Sequence, residues 1–541
     1  MVTYDTPKML EQLKKVYVER VVRNGFEDGY LYNDDLMKLN DIELKEFDEL
    51  KKIIGTTKAM PTTGDIDINS LGFTDEEFEQ VQKENRLKAK DELTPEQKEM
   101  LEKLKEAKKN RDAAVSILRG ISIRMPLLIY GADLNKNLDG SEEELTLDNF
   151  ADTVDDQSWE EFMPSGVTKE KFGKFKKYYD QDVFRAAGKR IREMAKAADG
   201  LNIEERIGRI STIFNTFRNP DKETVLTPWR VVNMHMTDCL GGWCFYDKDY
   251  KEPIEEPRYD EQTDVTKEIY KKNTKILEIN SKSGLYALYC AYSVYKTRAK
   301  LELGPKPTRK MENDLWAKVL NENIYVICKT EMAKKITKRT LAGFTDAKVN
   351  AHYFEDLVNQ LKNKSENFIG KVTSANYWGK EGSEDMKFDA IVGNPPYQEE
   401  GANNNKKEPI YPYFWEAAKH LSTKVSLITP ARFLFNAGQT SKEWNSKMLK
   451  DSHLKVIDYF INSKDVFPTV DIKGGIVILL RDAMQQFGEI GEFMPDDSMK
   501  SFASHFEKSI EYNLTSIIYG GRSDLKFNNT FLEAYPDSIS D

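Results

Sequence analysis

Four consecutive residues, Asn394, Pro395, Pro396 and Tyr397, carry the most specific chemistry in this chain. They follow at once on FDAIVG (388–393), an apolar run that reads as a buried strand ending at Gly393. Two successive prolines stiffen the backbone. The Asn394 side-chain oxygen and the Pro395 carbonyl can then both accept hydrogen bonds from one planar amine and draw it toward a nucleophilic geometry. Tyr397 offers a flat face for the ring that bears the amine. A base inside a duplex reaches such a pocket only if it is flipped out of the stack. An Asn-Pro-Pro turn after a strand also occurs in unrelated proteins, so the surrounding elements must decide.

Those elements have one recurring form. Between about 270 and 485, short apolar runs alternate with helical segments: KILEIN, NIYVICK, ENFIGKVT, FDAIVG, KVSLITP, LKVIDYFI and GIVILLRD. Seven strands alternating with helices predict an α/β domain with a Rossmann-like, mostly parallel sheet covered on both faces. Ligands of such sheets bind beyond the carboxyl ends of the strands, which is where the tetrapeptide falls.

The tetrapeptide and its setting resemble the amino-methyltransferases of restriction-modification systems. Upstream, KILEINSKSGLYALYCAY is a strand, a tight turn and a helix, similar to that family's cofactor loop. Glu278, Gly284 and Tyr286 fit its acidic, glycine and aromatic positions, whereas Lys282 stands where the first glycine is expected. TVLTPWRVVNMHM resembles the segment packed over the methionine end of the cofactor, with Thr227 and Pro228 as its pair and Pro228 as a helix start. After NIYVIC many relatives hold the ribose hydroxyls with an acidic residue. Here Cys328 and Lys329 occur, and Glu331 is the nearest substitute. KVTSANYWG resembles the segment that contacts the cofactor adenine, with Asn376 at the usual position and Tyr377 beside it. Phe467 is a candidate for a second aromatic stacked on the flipped base, with a core phenylalanine as the alternative.

Cofactor segments precede the tetrapeptide, which is the order of the gamma class, and the leading asparagine favours adenine over cytosine. The resemblance thus implies an N6-adenine DNA methyltransferase of a restriction-modification system. Its cofactor would be S-adenosyl-L-methionine, its substrate double-stranded DNA, and a helicase, nuclease or specificity module of the same system its candidate partner. No metal is expected. Two other readings stay open. One is a protein-glutamine or ribosomal-RNA methyltransferase, which reuses the tetrapeptide. The other is a catalytically weak scaffold, motivated by Lys282 and the missing acidic residue.

The rest of the chain reads as support. Residues 1–110 are rich in Glu, Lys and Leu and predict solvated helices, with Thr94 capping one that starts at Pro95. The stretch DELK (48–51) superficially fits an acidic-x-lysine nuclease pattern, but surface charge is the better account. Residues 111–214 read as a connector with an acidic segment, taken as a domain seam, followed by basic helices. Asp133, Asn135, Asn137, Asp139 and Glu144 fall on calcium-loop positions, yet Leu138 occupies the place of the turn glycine. The methyltransferase domain is expected over 215–485, and 486–541 as an extension that begins a target-recognition region or leaves recognition to another module.

With 541 residues, 39% apolar and 31% charged, the chain is long enough for more than one core. A formal charge of −10 means that any DNA contact must come from local basic patches. No window has the uninterrupted apolar length of a membrane span, so a cytoplasmic protein is expected. Cys239, Cys244, Cys290 and Cys328 show neither disulfide-like nor zinc-like spacing and predict reduced, buried thiols.

Overall fold

The computed structural model describes residues 120–496, save 165, 177–178, 180, 218–225, 383–384, 401–406 and 469–470, together with 498 and 501. The helices expected over 1–110, the DELK stretch and most of 486–541 lie outside these residues. The chain divides into two units, 1–490 and 491–541, and the first holds everything below.

The described helices are α1 (Met125–Gly131), α2 (Asp156–Phe162), α3 (Lys169–Phe175), α4 (Gln181–Ala198), α5 (Ile203–Asn215), α6 (Trp229–Leu240), α7 (Thr263–Ile269), α8 (Leu285–Glu302), α9 (Arg309–Glu322), α10 (Glu331–Ala342), α11 (Leu357–Asn363), α12 (Ser365–Thr373), α13 (Tyr411–Leu421) and α14 (Lys442–Leu449). Local signals start several of them. Asp155, Thr168 and Thr330 cap α2, α3 and α10, and Asn202 with Glu205 forms a capping box at α5.

The strands are β1 (Gly242–Tyr246), β2 (Pro253–Asp260), β3 (Ile276–Ser281), β4 (Ile324–Cys328), β5 (Asn350–Tyr353), β6 (Ala390–Gly393), β7 (Gln398–Glu400), β8 (Lys407–Pro409), β9 (Lys424–Pro430), β10 (Leu454–Phe460) and β11 (Ile476–Asp482). Seven of them form one sheet in the order β10-β11-β9-β6-β3-β4-β5. Only β11 runs antiparallel to its neighbours there; the pairs among β9, β6, β3, β4 and β5 are parallel. β3, β4, β6 and β9 are buried on every residue, as a parallel sheet covered on both faces requires. The chain steps outward from β3 to β4 and β5, then returns to place β6 on the other side of β3. This reversal makes the carboxyl ends of β3 and β6 the switch point, where a doubly wound sheet has its ligand crevice.

The fold is the expected α/β sheet, with three corrections. ENFIGKVT is helix α12 and not a strand, because Phe368 and Val372, one helical turn apart, are its buried residues. The seventh strand is instead β5, four residues with His352 among them, too short and polar for a strand signal. The hairpin β1–β2 was not expected either. Its second strand, PIEEPRYD, has two prolines and mostly polar residues, which read as loop and are tolerated only at a sheet edge.

The acidic segment is no seam in packing. One hydrophobic cluster runs from Ile121 to Leu480 and takes in Leu145, Leu147, Phe150, Trp159 and Phe162 of that segment. The calcium-like positions serve other partners: Asp133 pairs with Arg339 at 3.1 Å, and Asn135 donates to Glu143 at 3.0 Å. The four cysteines are buried and free, as expected. Among the described residues, no helix is long and apolar enough to cross a membrane.

Candidate active site at the β3–β6 crevice

β3 ends in an irregularity that shapes the crevice. Its register with β4 shifts between Ile279 and Ser281, and Asn280, the residue between them, has a φ of 62°, a left-handed conformation rare outside glycine and asparagine. The chain then turns through Lys282 and Ser283 to Gly284, whose φ of 76° starts α8. Glu278, 4% exposed, accepts a hydrogen bond from the Ala287 amide of the first turn of α8 at 2.9 Å. Burial outweighs that bond and raises the Glu278 carboxyl to about 7.

On the neighbouring strand, Gly393 has no room for a side chain: a Cβ there would lie 2.6 Å from the Ile279 carbonyl oxygen. The tetrapeptide therefore leaves β6 pressed against the end of β3. The Asn280 side-chain amide donates to the Asn394 main-chain carbonyl at 3.3 Å, joining the two strand ends.

Asn394 Nδ2 donates to Thr227 Oγ1 at 3.0 Å, and Asn394 Oδ1 is buried with no hydrogen-bond partner among the described residues. Thr227, 7% exposed, lies in the segment that enters α6, with Pro228 as the residue before its first turn. The sequence-based expectation thus brings together Thr227, Glu278, Tyr286 and Asn394.

Beneath Thr227 a buried chain of polar groups has a readable direction. The Ser426 hydroxyl donates to the Leu479 carbonyl at 3.2 Å, so it must accept from His235 Nε2, 2.8 Å away. His235 Nδ1 is then the acceptor for the Tyr286 hydroxyl at 2.8 Å. Full burial holds the His235 pKa down at about 3, so the ring is neutral with its proton on Nε2. The Thr227 side chain lies beside the Tyr286 hydroxyl. Asn394 Nδ2 is committed to Thr227, so Oδ1 is the end of the amide left as an acceptor without a partner among the described residues.

The remaining expected residues are placed less directly. Pro395 and Tyr397 are buried, and the Asn394 side chain lies beside the Tyr397 hydroxyl. Phe467 is 0% exposed within the main cluster, as in its core alternative. Asn376 is exposed, whereas its neighbour Tyr377 packs on His352 at 4.5 Å near the end of β5 and carries a buried hydroxyl without a partner among the described residues. Glu331 forms an ion pair with Lys334. Gly284 is close to α10: a Cβ would meet Thr337 Cα at 3.1 Å, so a side chain here would be tight against that helix as well as strained by the positive φ.

Sequence reasoning missed His235, Ser426 and Asn280. Asn280 had a signal, since an asparagine between a strand and a glycine-containing turn is a candidate for a left-handed position.

Residues 322–467 match the family model described as Eco57I restriction-modification methylase. The matched segment contains β4, β6, the tetrapeptide and Phe467, while Thr227, Glu278, Gly284 and Tyr286 precede it. An uncharacterized adenine-specific methylase of Mycoplasma pneumoniae is 39% identical over 95 residues, which are 17% of this chain and 22% of that protein. The match therefore spans about a fifth (22%) of that relative's length.

Several solved structures are similar at low identity. The type I methyltransferase subunit from Streptococcus thermophilus is 10% identical, covering 94% of this chain and 89% of its own, with a TM-score of 0.30. The EcoKI M protein is 10% identical over 71% of this chain and 64% of its own, at 0.30. The nuclease-deletion mutant of the restriction-modification enzyme LlaGI, in complex with a DNA substrate mimic, is 11% identical over 87% of this chain and 39% of its own, at 0.37. The architecture rests on the strand order and not on these likenesses.

Proposed function

We propose that this chain transfers a methyl group from S-adenosylmethionine to N6 of an adenine flipped out of duplex DNA, within a restriction-modification system. The observation that carries this reading is the Asn394 amide: its nitrogen is committed to Thr227 and its oxygen is a buried acceptor without a partner among the described residues, at the sheet's ligand edge. A buried acceptor left bare costs on the order of 1–3 kcal/mol, and a substrate amine removes that cost.

The crevice also fits the cofactor. Asn280 Oδ1, 4% exposed and unpartnered among the described residues, can accept from an ammonium group. Glu278 supplies a carboxylate beneath the loop once ionised, and Tyr377 a ring near the end of β5. Bound there, S-adenosylmethionine supplies an electrophilic methyl group.

The chain's own residues do the rest. Asn394 Oδ1 and the Pro395 carbonyl accept the two N–H bonds of the adenine amine, which turns its lone pair toward the methyl group. The stiff Pro395-Pro396 backbone keeps both acceptors in place. Tyr397, the last residue of the tetrapeptide, is the aromatic wall, and the ring of an extruded base gains stacking there. Phe467, fully buried in the main cluster, is left out of the pocket. Sequence recognition, and any cleavage, belong to other modules of the system.

Incubating the protein with S-adenosylmethionine and unmodified genomic DNA, then mapping modified bases at single-nucleotide resolution, tests the proposal. N6-methyladenine within a fixed sequence context is the expected result. Methylation confined to release-factor or ribosomal substrates rejects the DNA reading.

A further inference from the structure

Two residues depart from the expected cofactor-site pattern, and one side chain meets both. Lys282 stands at a glycine position of the turn after β3, and Lys329 follows β4 where a carboxylate is expected. Glu161, in the last turn of α2, reaches each of them: its Oε1 is 3.4 Å from Lys282 Nζ and its Oε2 is 2.6 Å from Lys329 Nζ. Helix α2 is fixed in this position, because the Ser158 hydroxyl accepts from the Met332 amide in the first turn of α10 at 2.9 Å.

A carboxylate at the end of the second strand of a doubly wound sheet is the group that reads a ribose diol, since it accepts from both hydroxyls. β3 and β4 are the first two strands here, and Glu161 is held across their carboxyl ends. We infer that Glu161, supplied by α2 and clamped by Lys282 and Lys329, hydrogen-bonds the ribose hydroxyls of the nucleoside cofactor. The inference rests on the reading of the crevice as a nucleoside-cofactor site.

Three features support it. The Glu161 side chain is 11% exposed, so it is shielded without being sealed. Burial alone would raise its carboxyl, but the ammonium groups of Lys282 and Lys329 outweigh this and hold it below the usual range, so it is an acceptor only. Asn280, on the same strand end, presents the unpartnered buried oxygen described above, so the crevice holds a second group waiting for a ligand. Lys282 then has a purpose that glycine could not serve: it and Lys329 compensate a carboxylate brought from another element.

The test compares S-adenosylhomocysteine with its 2′-deoxyribose counterpart by calorimetry, using the full chain. Wild-type protein is expected to bind the ribose form at least tenfold more tightly. In Glu161→Gln that discrimination should fall below about threefold, while a purely structural support would weaken both ligands alike and keep their ratio. Equal affinities in the wild type overturn the inference without any variant, so a poorly folding mutant does not shelter it. A Glu161→Gln protein that keeps the full ratio overturns it as well. If the wild type binds neither S-adenosylhomocysteine nor S-adenosylmethionine, the cofactor reading itself fails, which is a distinct result.

Discussion

Thr227 Oγ1 lies 3.0 Å from Asn394 Nδ2 and so decides which end of the Asn394 amide faces the crevice. Without this acceptor the amide could rotate by half a turn and present NH2 groups to an amine it is meant to accept from. Thr227→Val removes the acceptor and keeps the shape. One neutral hydrogen bond contributes about 0.5–1.5 kcal/mol, and misorientation adds to that loss. Turnover should fall roughly tenfold or more by the rule that about 1.4 kcal/mol is one decade. DNA affinity should hardly change, and Thr227→Ser should restore the rate. Steady-state methylation beside DNA binding makes the comparison, and a Thr227→Val enzyme at full rate removes the orienting role.

Asn394→Ala deletes the acceptor itself. If the proposed function holds, methyl transfer should be abolished while S-adenosylmethionine affinity stays within a few-fold, because that proposal puts Asn394 against the amine and not the cofactor. Calorimetry and single-turnover methylation on one preparation separate the two effects. Wild-type turnover in this variant would move the active site elsewhere.

Gly284 is a packing position, so its replacement should act first on stability. Its φ is 76°, and an added Cβ would stand 3.1 Å from Thr337 Cα on α10. Gly284→Ala should cost about 1–3 kcal/mol through a strained backbone and a forced shift of α10. A urea unfolding curve reads this directly. Loss of cofactor affinity at unchanged stability would show that the loop contacts the ligand there after all.

His235 makes stability depend on pH in a defined window. Burial holds its folded pKa down at about 3, below the ordinary imidazole value of 6.5. Above pH 6.5 both states are neutral and the His235 contribution is fully present. As pH falls from about 6.5 toward 3, only the unfolded state takes up the proton, and stability is lost at about 1.4 kcal/mol per pH unit. Wild type should therefore lose about 2 kcal/mol from this group between pH 7 and 5. His235→Gln should start less stable at pH 7, because it breaks the chain between Tyr286 and Ser426, yet show a shallower decline. Parallel declines in chemical denaturation would mean that His235 is not held neutral.

These residues also show what could be read from sequence. The β3 turn and the tetrapeptide were legible because local pattern alone fixes them: a buried run, then residues with restricted backbones. His235 was not, since a histidine inside a helix gives no sign that Ser426, on a strand far along the chain, will meet its Nε2. Glu161 was hidden for the same reason. Its helix looks like one more acidic surface segment until α10 is seen to hold it over the strand ends. Short polar β5 failed for lack of apolar residues, and α12 because one helical turn separates its two buried side chains, a spacing that an eight-residue apolar run does not reveal.

Tyr397 separates a base-flipping enzyme from one acting on protein. Its side chain is 9% exposed and its hydroxyl is buried without a partner among the described residues, so the ring and not the hydroxyl is the useful part. Tyr397→Phe should keep the ring, remove an unsatisfied polar atom and leave transfer nearly unchanged. Tyr397→Ala should lose stacking worth on the order of 1–3 kcal/mol, which is tenfold to a hundredfold in transfer efficiency. It will also cost stability, since a large side chain leaves the core, so rate loss alone does not identify a stacking role. The discriminating measurement uses two duplexes. A mispaired adenine is already partly released and costs less to extrude, so the alanine defect should shrink on mismatched DNA, whereas a general folding defect would slow both substrates by the same factor. Single-turnover methylation of matched and mismatched duplexes by the wild type and both variants provides the comparison. An equal alanine defect on the two duplexes would place Tyr397 in the framework and not against the flipped base.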